Sequence, residues 1–216
     1  MTRASHKDWL LWQLADSSLP TGGFAHSSGL EAAWQHGEIR NGAELGRYIE
    51  ASLDQSGHGS LPMMLAAFDE ADRLGEMDHL CESFTTNHVA NRASRLQGRA
   101  LLSSAQRIFA LSMGEMPFGH WAPAFGAVAC ALEIEREPAA RLFCFMHLRG
   151  LIAAAVRLGI IGPLEAQSIQ HHLGPVAEDI VGGCLDIPVE DISQTAPLLE
   201  LWQGTQDRLY SRLFQS

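Results

Sequence analysis

The stretch NGAELGRYIEASL, residues 41–53, indicates how this chain folds. Asn41 followed by Glu44 has the form of a capping box, in which two side chains satisfy the free amides at a helix start. Apolar residues follow at the three- and four-residue spacing of a single helix face: Leu45, Tyr48, Ile49 and Leu53. This stretch therefore predicts an amphipathic α-helix.

The same periodicity extends along nearly the whole chain. Helix-favouring residues dominate, and alternating runs of valine, isoleucine and threonine are missing. We expect helices at about residues 9–16, from 28, 41–57, from 60, 91–112, 123–135, 138–158, 163–181 and 196–210. Residues 182–193 are predicted to be irregular. The fold expected is all-α, a single domain over residues 1–216 with roughly eight to ten helices.

Composition excludes several classes of function. The chain has 216 residues, of which 46% are hydrophobic, and a formal net charge of −10. Such an acidic protein is a poor binder of nucleic acid, because phosphates require basic patches. The N-terminus lacks the apolar core of a signal peptide, and the most apolar segment, residues 151–161, is too short for a membrane span. We therefore expect a cytoplasmic protein without nucleic-acid or membrane partners.

The residues that could bind metal are scattered. The four cysteines lie far apart with no CxxC pair: Cys81, Cys130, Cys144 and Cys184. Such spacing is typical of reduced, mostly buried thiols in a cytosolic protein and disfavours structural zinc. His171 and His172 are adjacent on a predicted helix, so their side chains diverge by about 100°. We predict no metal site and no catalytic residue, since the common catalytic motifs are absent.

A glycine-rich loop precedes the second helix, with the sequence SLPTGGFAHSSGLE at residues 18–31. A phosphate-binding loop would need a lysine before its serine or threonine, and none is present. Ser28 and Glu31 instead have the spacing of a capping box. That structural interpretation leaves Phe24 and His26 in the turn, where we expect them to be exposed. An exposed aromatic residue in a glycine-framed loop could contact another protein.

The central helix and the loop after it leave further alternatives open. Arg92, Arg95 and Arg99 share one helix face and form either a solvated face with intrahelical ion pairs or a stripe for an acidic partner. Gly98 in the same helix indicates either close packing or a kink. His120 in the loop at residues 116–123 is interpreted as a packed, hydrogen-bonded histidine. The alternative function is a helical enzyme or metal-binding protein with its site between the His26 and His120 loops.

The C-terminal segment LYSRLFQS, residues 209–216, is apolar and aromatic up to its last residues. Chain termini are usually polar and frayed. Leu209, Leu213 and Phe214 must therefore be covered either by the body of this protein or by another chain. An exposed tail that folds on binding is the second of these alternatives.

Four segments together resemble the UreF-type urease accessory proteins. They are LADSSLPTGGFAHSSGLEAA, RASRLQGRALL with GHWAPAFGAVACAL, AAVRLGIIGPLEAQSIQ, and APLLELWQG with LYSRLFQS. The segments occur in the family's order along nearly the whole chain, and their sequences are similar to those of the plant-like branch. Gln206-Asp207 departs from the pattern, because many bacterial members have His-Glu there.

The resemblance implies an all-α accessory protein that is not an enzyme. Members of this family work with a UreD/UreH-type scaffold protein and a UreG-type GTPase, commonly as homodimers. The complex delivers nickel to apo-urease, and the UreF-type member regulates the GTP hydrolysis of its partner. Nickel is cargo of the complex, so no cofactor is expected as a stable ligand of this chain.

The resemblance also implies which residues bind partners. In the family, the C-terminal tail, matching residues 207–216 here, orders when the scaffold binds. Its arginine, matching Arg212, then braces the loop matching residues 22–31. The residues expected to bind partners are Phe24, His26, Glu31, Arg212, Leu213 and Phe214.

Overall fold

The computed structural model describes the backbone of residues 4–216 and the side chains from Lys7 onward. Over that range it forms ten α-helices joined by turns and short 3-10 segments, with no strand. The helices are α1 Ala4–Ala15, α2 Leu30–Gln35, α3 Gly42–His58, α4 Ser60–Asp69, α5 Leu74–Phe84, α6 His88–Phe109, α7 Trp121–Ala131, α8 Arg136–Arg157, α9 Pro163–Cys184 and α10 Pro197–Gly204. The expected all-α fold is confirmed.

Several helix boundaries differ from the predicted ones. Helix α5 was not predicted, and α6 begins at His88 because the Asn87 side chain caps it, accepting from the Val89 amide at 3.0 Å. Helix α9 continues through two glycines to Cys184. The last helix ends at Gly204, well before residue 210, so the C-terminal segment is not helical beyond a short 3-10 turn.

Helix α8 joins the two main groups of buried side chains. Phe143 packs with Phe125 of α7 in one group, and Leu151 packs with Ile49 of α3 in the other. Within the described chain, α8 alone is long and apolar enough to cross a membrane by length and composition, with a mean hydropathy of 1.5. Because 56% of that apolar window is buried in the protein, core packing accounts for its composition.

Helices α4 and α7 lie in close contact at Gly126. A Cβ atom at this position would overlap the main-chain oxygen of Met64. We expect Gly126→Ala to lower the free energy of unfolding by about 1–2 kcal/mol, since overpacking outweighs the gain in helix propensity. Urea denaturation measures this change. Gly150→Ala is the control, because nothing lies within 4 Å of that added methyl group. Equal effects of the two changes would contradict the prediction.

Candidate functional site

The glycine-rich loop is held in a defined shape. Gly22 and Gly29 have φ angles of 74° and 82°, in the left-handed region that glycine adopts without strain. Between them, Gly23–Ala25 form a 3-10 turn that presents Phe24, whose side chain is 73% exposed. The exposure predicted for Phe24 is therefore confirmed.

The expected capping box at Ser28 is wrong. Helix α2 begins at Leu30 after Gly29, and Ser28 lies outside it with a φ angle of 51°. Its carbonyl accepts a hydrogen bond from the Tyr48 hydroxyl at 2.8 Å. The preceding residue, Ser27, is the one that accepts from the Glu31 amide, at 3.4 Å.

The C-terminal segment packs on this loop, so the body of the protein itself covers the apolar tail residue Phe214. That side chain is 3% exposed and belongs to the same buried group as Leu151. The Gln215 amide donates to the Ala25 carbonyl at 2.8 Å, and the Ser27 amide donates to the Ser216 carbonyl. Of the neighbouring apolar side chains, Leu213 remains half exposed.

Glu31 is the centre of this contact. The side chain is buried, and its Oε1 atom accepts from the Leu213 amide at 2.6 Å. Its Oε2 atom accepts from the Phe214 amide at 3.0 Å and from Nε2 of Gln206 at 2.7 Å. The carboxylate therefore binds the tail backbone, whereas the capping-box prediction placed it on its own helix start.

His26 is buried, which corrects the expected exposure. Its Nδ1 atom lies 2.5 Å from the Ser216 hydroxyl, across the loop–tail contact. Burial lowers the pKa of His26 to about 4, and the nearby Arg92 lowers it further in the same direction. The imidazole is therefore neutral in the folded protein at neutral pH.

This pKa predicts acid sensitivity. An unfolded histidine titrates near pH 6.5, so the unfolded state binds the extra proton first and stability falls as pH decreases from about 6.5 towards 4. We expect a loss of about 2 kcal/mol over that window from His26. His26→Asn should flatten the pH dependence of the urea midpoint, and His171→Asn, which changes an exposed histidine, should not. Parallel pH profiles for wild type and His26→Asn would refute the assignment.

Arg212 does not brace the loop in this structure. Its Nη1 atom donates to Oδ1 of Asp207 at 2.6 Å. Asp207 also accepts two hydrogen bonds from Arg92, at 3.0 and 2.9 Å. The guanidinium groups of Arg92, which has the larger effect, and of Arg212 lower the pKa of Asp207 to about 2. Arg212 therefore pairs with Asp207 close to it in the sequence, and Asp207 also binds Arg92 of α6.

A different arginine reaches the loop. Nη1 of Arg157, the last residue of α8, donates to the Phe24 carbonyl. The same guanidinium lies over the Phe214 ring, 4.3 Å from its centroid. Sequence reasoning placed Arg157 only within the AAVRL segment and gave it no role. Its position at a helix end was visible in the sequence, but its two partners were not.

The three arginines that share one face of α6, Arg92, Arg95 and Arg99, are paired inside the protein. Arg92 binds Asp207, and Nε of Arg99 donates to the Phe118 carbonyl at 2.9 Å. Arg95 lies 3.7 Å from Glu82 and over the Phe118 ring at 5.5 Å. The partners come from other elements, so the prediction of intrahelical pairs is wrong. These guanidinium groups hold the tail and the second loop against α6.

The loop before α7 is organised by a residue that sequence reasoning missed. Asp78 of α5 is fully buried, and its Oδ2 accepts from the amides of Phe118 at 2.7 Å and Gly119 at 3.1 Å. Its Oδ1 accepts from the His120 amide at 2.8 Å. A Cβ atom at Gly98 would overlap the backbone of Gly119 and His120. The close packing of α6 against this loop therefore explains why a glycine occupies position 98.

His120 is a packed, hydrogen-bonded histidine, as predicted. It is fully buried, with Nε2 2.9 Å from Glu82 and Nδ1 3.1 Å from the Ser94 hydroxyl. Burial lowers its pKa, while the hydrogen bond to Glu82 acts in the opposite direction. Its partners are thus distinct from the Ser216 hydroxyl that His26 contacts.

The histidines and cysteines of the described chain do not gather into a metal-binding group. Among the side chains described from residue 7 onward, no group of three histidine, cysteine, aspartate or glutamate residues has a geometry that could hold a metal ion. The four cysteines are free thiols, of which only Cys130 is exposed. His26 and His120, the residues of the alternative helical enzyme or metal site, each bind partners of their own: the Ser216 hydroxyl for His26, and Glu82 and Ser94 for His120.

Comparison with known proteins agrees with the sequence resemblance. The UreF family model matches residues 39–174, which is more than half of the chain. The urease accessory protein F of Oryza sativa subsp. indica is 39% identical over 97% of this chain and 85% of its own length. That of Arabidopsis thaliana is 36% identical over 100% of this chain and 96% of its own length.

A bacterial relative is more distant. The urease accessory protein UreF of Roseobacter denitrificans is 24% identical over 95% of this chain and 92% of its own length. The higher identity to the two plant proteins agrees with the plant-like sequences of the loop and the tail. Because the family model covers most of the chain and these relatives align along nearly all of it, the chain belongs to the UreF family of urease accessory proteins.

Proposed function

We propose that this protein is the adaptor of a nickel-insertion complex for urease. In this role it bridges a UreD/UreH-type scaffold and a UreG-type GTPase and regulates the GTP hydrolysis that accompanies nickel delivery to apo-urease. It acts in the cytoplasm as a homodimer, and nickel passes through the complex as cargo. Support comes from the family and from relatives whose names identify them as urease accessory proteins.

The observation that carries this proposal is the loop–tail surface, which we define as Phe24 together with Tyr210, Arg212 and Leu213. Phe24 is 73% exposed on a loop held by buried hydrogen bonds, and in the tail Tyr210 is fully exposed and Leu213 half exposed. A large side chain on a rigid support loses little conformational entropy on binding, which favours a contact with another protein.

The two halves of the surface are proposed to bind different partners. Leu213, Arg212 and Tyr210 belong to the tail and would contact the scaffold. Phe24 belongs to the loop and would contact the GTPase. Because Glu31, His26 and Phe214 lie beneath this surface, they support it and do not touch the partners directly.

Deletion of residues 207–216 tests the proposal. We expect the shortened protein to lose capture of the scaffold in a pull-down while keeping its far-ultraviolet circular dichroism, because all ten α-helices end before residue 205. Retained capture would contradict the assignment of the tail to the scaffold.

A point variant separates surface contact from tail packing. Leu213→Ser keeps the backbone amide that donates to Glu31 and replaces only a half-exposed side chain. We expect it to weaken scaffold capture about tenfold, the effect of truncating an interface residue that contributes more than 1 kcal/mol. Leu164→Ser, which changes a leucine that is 89% exposed on α9, is the matched control and should leave capture unchanged.

A further inference from the structure

Arg157 makes two contacts with one planar group. Its guanidinium donates to the Phe24 carbonyl and lies over the Phe214 ring at 4.3 Å from the centroid. Phe24 belongs to the loop and Phe214 to the tail, so a single side chain bridges two segments 190 residues apart. A delocalised guanidinium suits this arrangement, because its edge donates hydrogen bonds while its face stacks on an aromatic ring.

Within the part of the chain that the structure describes, this guanidinium is not shared with a carboxylate. Among the described side chains, Arg157 forms no ion pair, whereas Arg92 and Arg212 both pair with Asp207. The carbonyl and the ring are therefore its main partners. Because each contact fixes the plane of the group, docking of the Phe214 ring orients the edge that the Phe24 carbonyl requires.

These contacts hold the backbone that carries the exposed side chain of Phe24. The Phe24 carbonyl is held by a hydrogen bond, while the Phe24 side chain is 73% exposed. The next residue, Ala25, accepts from the tail amide of Gln215 at 2.8 Å. The backbone around Phe24 is thus fixed from two sides, by α8 and by the tail.

We propose that Arg157 is a positioning residue that makes the presentation of Phe24 depend on docking of the C-terminal tail. When the tail is docked, the guanidinium is oriented and the 3-10 turn is held. When the Phe214 ring leaves, the guanidinium loses its stacking partner and the loop loosens. The inference rests on the proposed function, since it gives the loop–tail surface a way to report scaffold binding to a partner that contacts Phe24.

Amide hydrogen exchange of the full chain tests the coupling without any partner. The reporters are the amides of Ala25 and His26, which bond within the loop to the carbonyls of Gly22 and Gly23 and not to the tail. We expect Arg157→Gln to accelerate their exchange about fivefold to thirtyfold, the combined effect of a cation–π contact and a charge-assisted hydrogen bond. Arg157→Lys should restore part of the protection, because it keeps the charge but loses the planar face.

The matched control is Arg107→Gln. Arg107 is also an exposed arginine in the last turn of a long helix, and it makes no side-chain hydrogen bond or ion pair within the described chain. Its replacement should leave the exchange of Ala25 and His26 unchanged. Slowly exchanging core amides of α4 report global stability, so a general loss of folding would be recognised by their acceleration.

A double-mutant comparison isolates the bridge. Phe214→Leu keeps an apolar side chain but removes the ring, and we expect it to accelerate exchange at Ala25 and His26 in the wild-type background. In the Arg157→Gln background the same change should have at most a small additional effect, because the bridge is already broken. Fully additive effects would overturn the inference.

Partner binding separates this inference from the proposed function. If Arg157→Gln weakens capture of the UreG-type GTPase while loop exchange stays at the wild-type rate, Arg157 is a direct contact and the positioning role is refuted. If loop exchange responds as expected but the wild-type protein captures neither partner, the coupling stands and the proposed function fails. Unchanged exchange together with unchanged capture also refutes the inference.

Discussion

Replacing Glu31 with glutamine is expected to lower the free energy of unfolding by about 3 kcal/mol and to release the C-terminal tail. The carboxylate is buried and accepts from four donors: the Leu213 amide, the Phe214 amide, Nε2 of Gln206 and, at 3.5 Å, Nε2 of Gln35. A glutamine of the same shape offers one oxygen and an amino group. At least one of the donors would then face another donor in a site without water access, and the tail would leave to avoid that contact.

The location of the effect distinguishes tail release from general destabilisation. In Glu31→Gln we expect the amides of Leu213 and Phe214 to exchange hydrogen at nearly the rate of a free peptide, while core amides keep most of their protection. Urea denaturation gives the change in unfolding free energy. Glu38→Gln removes an exposed carboxylate close by and is the control, expected to change stability by less than about 0.5 kcal/mol.

One result would contradict this account of Glu31. If the tail amides stay protected in Glu31→Gln while the helix α2 amides lose protection, the carboxylate serves its own helix as a capping box does. The distances to Leu213 and Phe214 would then overstate the importance of the tail contact.

Periodicity predicted the helices well where apolar residues recur on one face. Helix α3 follows its sequence pattern from the Asn41 cap, whose side chain accepts from the Glu44 amide at 3.0 Å, to Gly59. Helix α5 was missed because no side chain caps its start and because its buried face includes Asp78, a charged residue. A buried carboxylate interrupts an apolar pattern, although here it is satisfied by backbone amides from another loop.

The candidate site was predictable only in its exposed part. Glycines on both sides of Phe24 indicate a turn, and a turn exposes its central side chain. The burial of His26 and Glu31 depends on the tail, whose contacting residues lie 175–190 positions away in the sequence. No local pattern contains that pairing. Arg212, which the resemblance implies braces the loop once the scaffold binds, pairs in the chain alone with Asp207, five residues earlier.

Replacing Asp78 with asparagine is expected to lower the free energy of unfolding by about 3–4 kcal/mol, an effect as large as that of Glu31→Gln or larger. Asp78 accepts three hydrogen bonds from consecutive amides, those of Phe118, Gly119 and His120, at 2.7 to 3.1 Å. An asparagine oxygen could replace one side of the carboxylate. Its amino group would face the remaining amide donors within the fully buried site.

The loss should spread from the loop into the helices that it joins. The amides held by Asp78 directly precede α7, which packs on α4, and the Gly119–His120 backbone lies against Gly98 of α6. We therefore expect faster exchange at residues 118–120, a changed Trp121 fluorescence and a lower urea midpoint. Asp72→Asn, an exposed aspartate just before α5, is the control and should leave all three unchanged.

The size of the effect decides what Asp78 does. A loss near 3–4 kcal/mol with local exchange at residues 118–120 means that the carboxylate holds the loop in place and that His120 depends on it. A loss below about 1 kcal/mol would mean that the tight packing at Gly98 is sufficient to hold the loop and that the three hydrogen bonds contribute little. Combining Asp78→Asn with His120→Asn measures the dependence, because two changes in one network should lower stability by less than the sum of their separate effects.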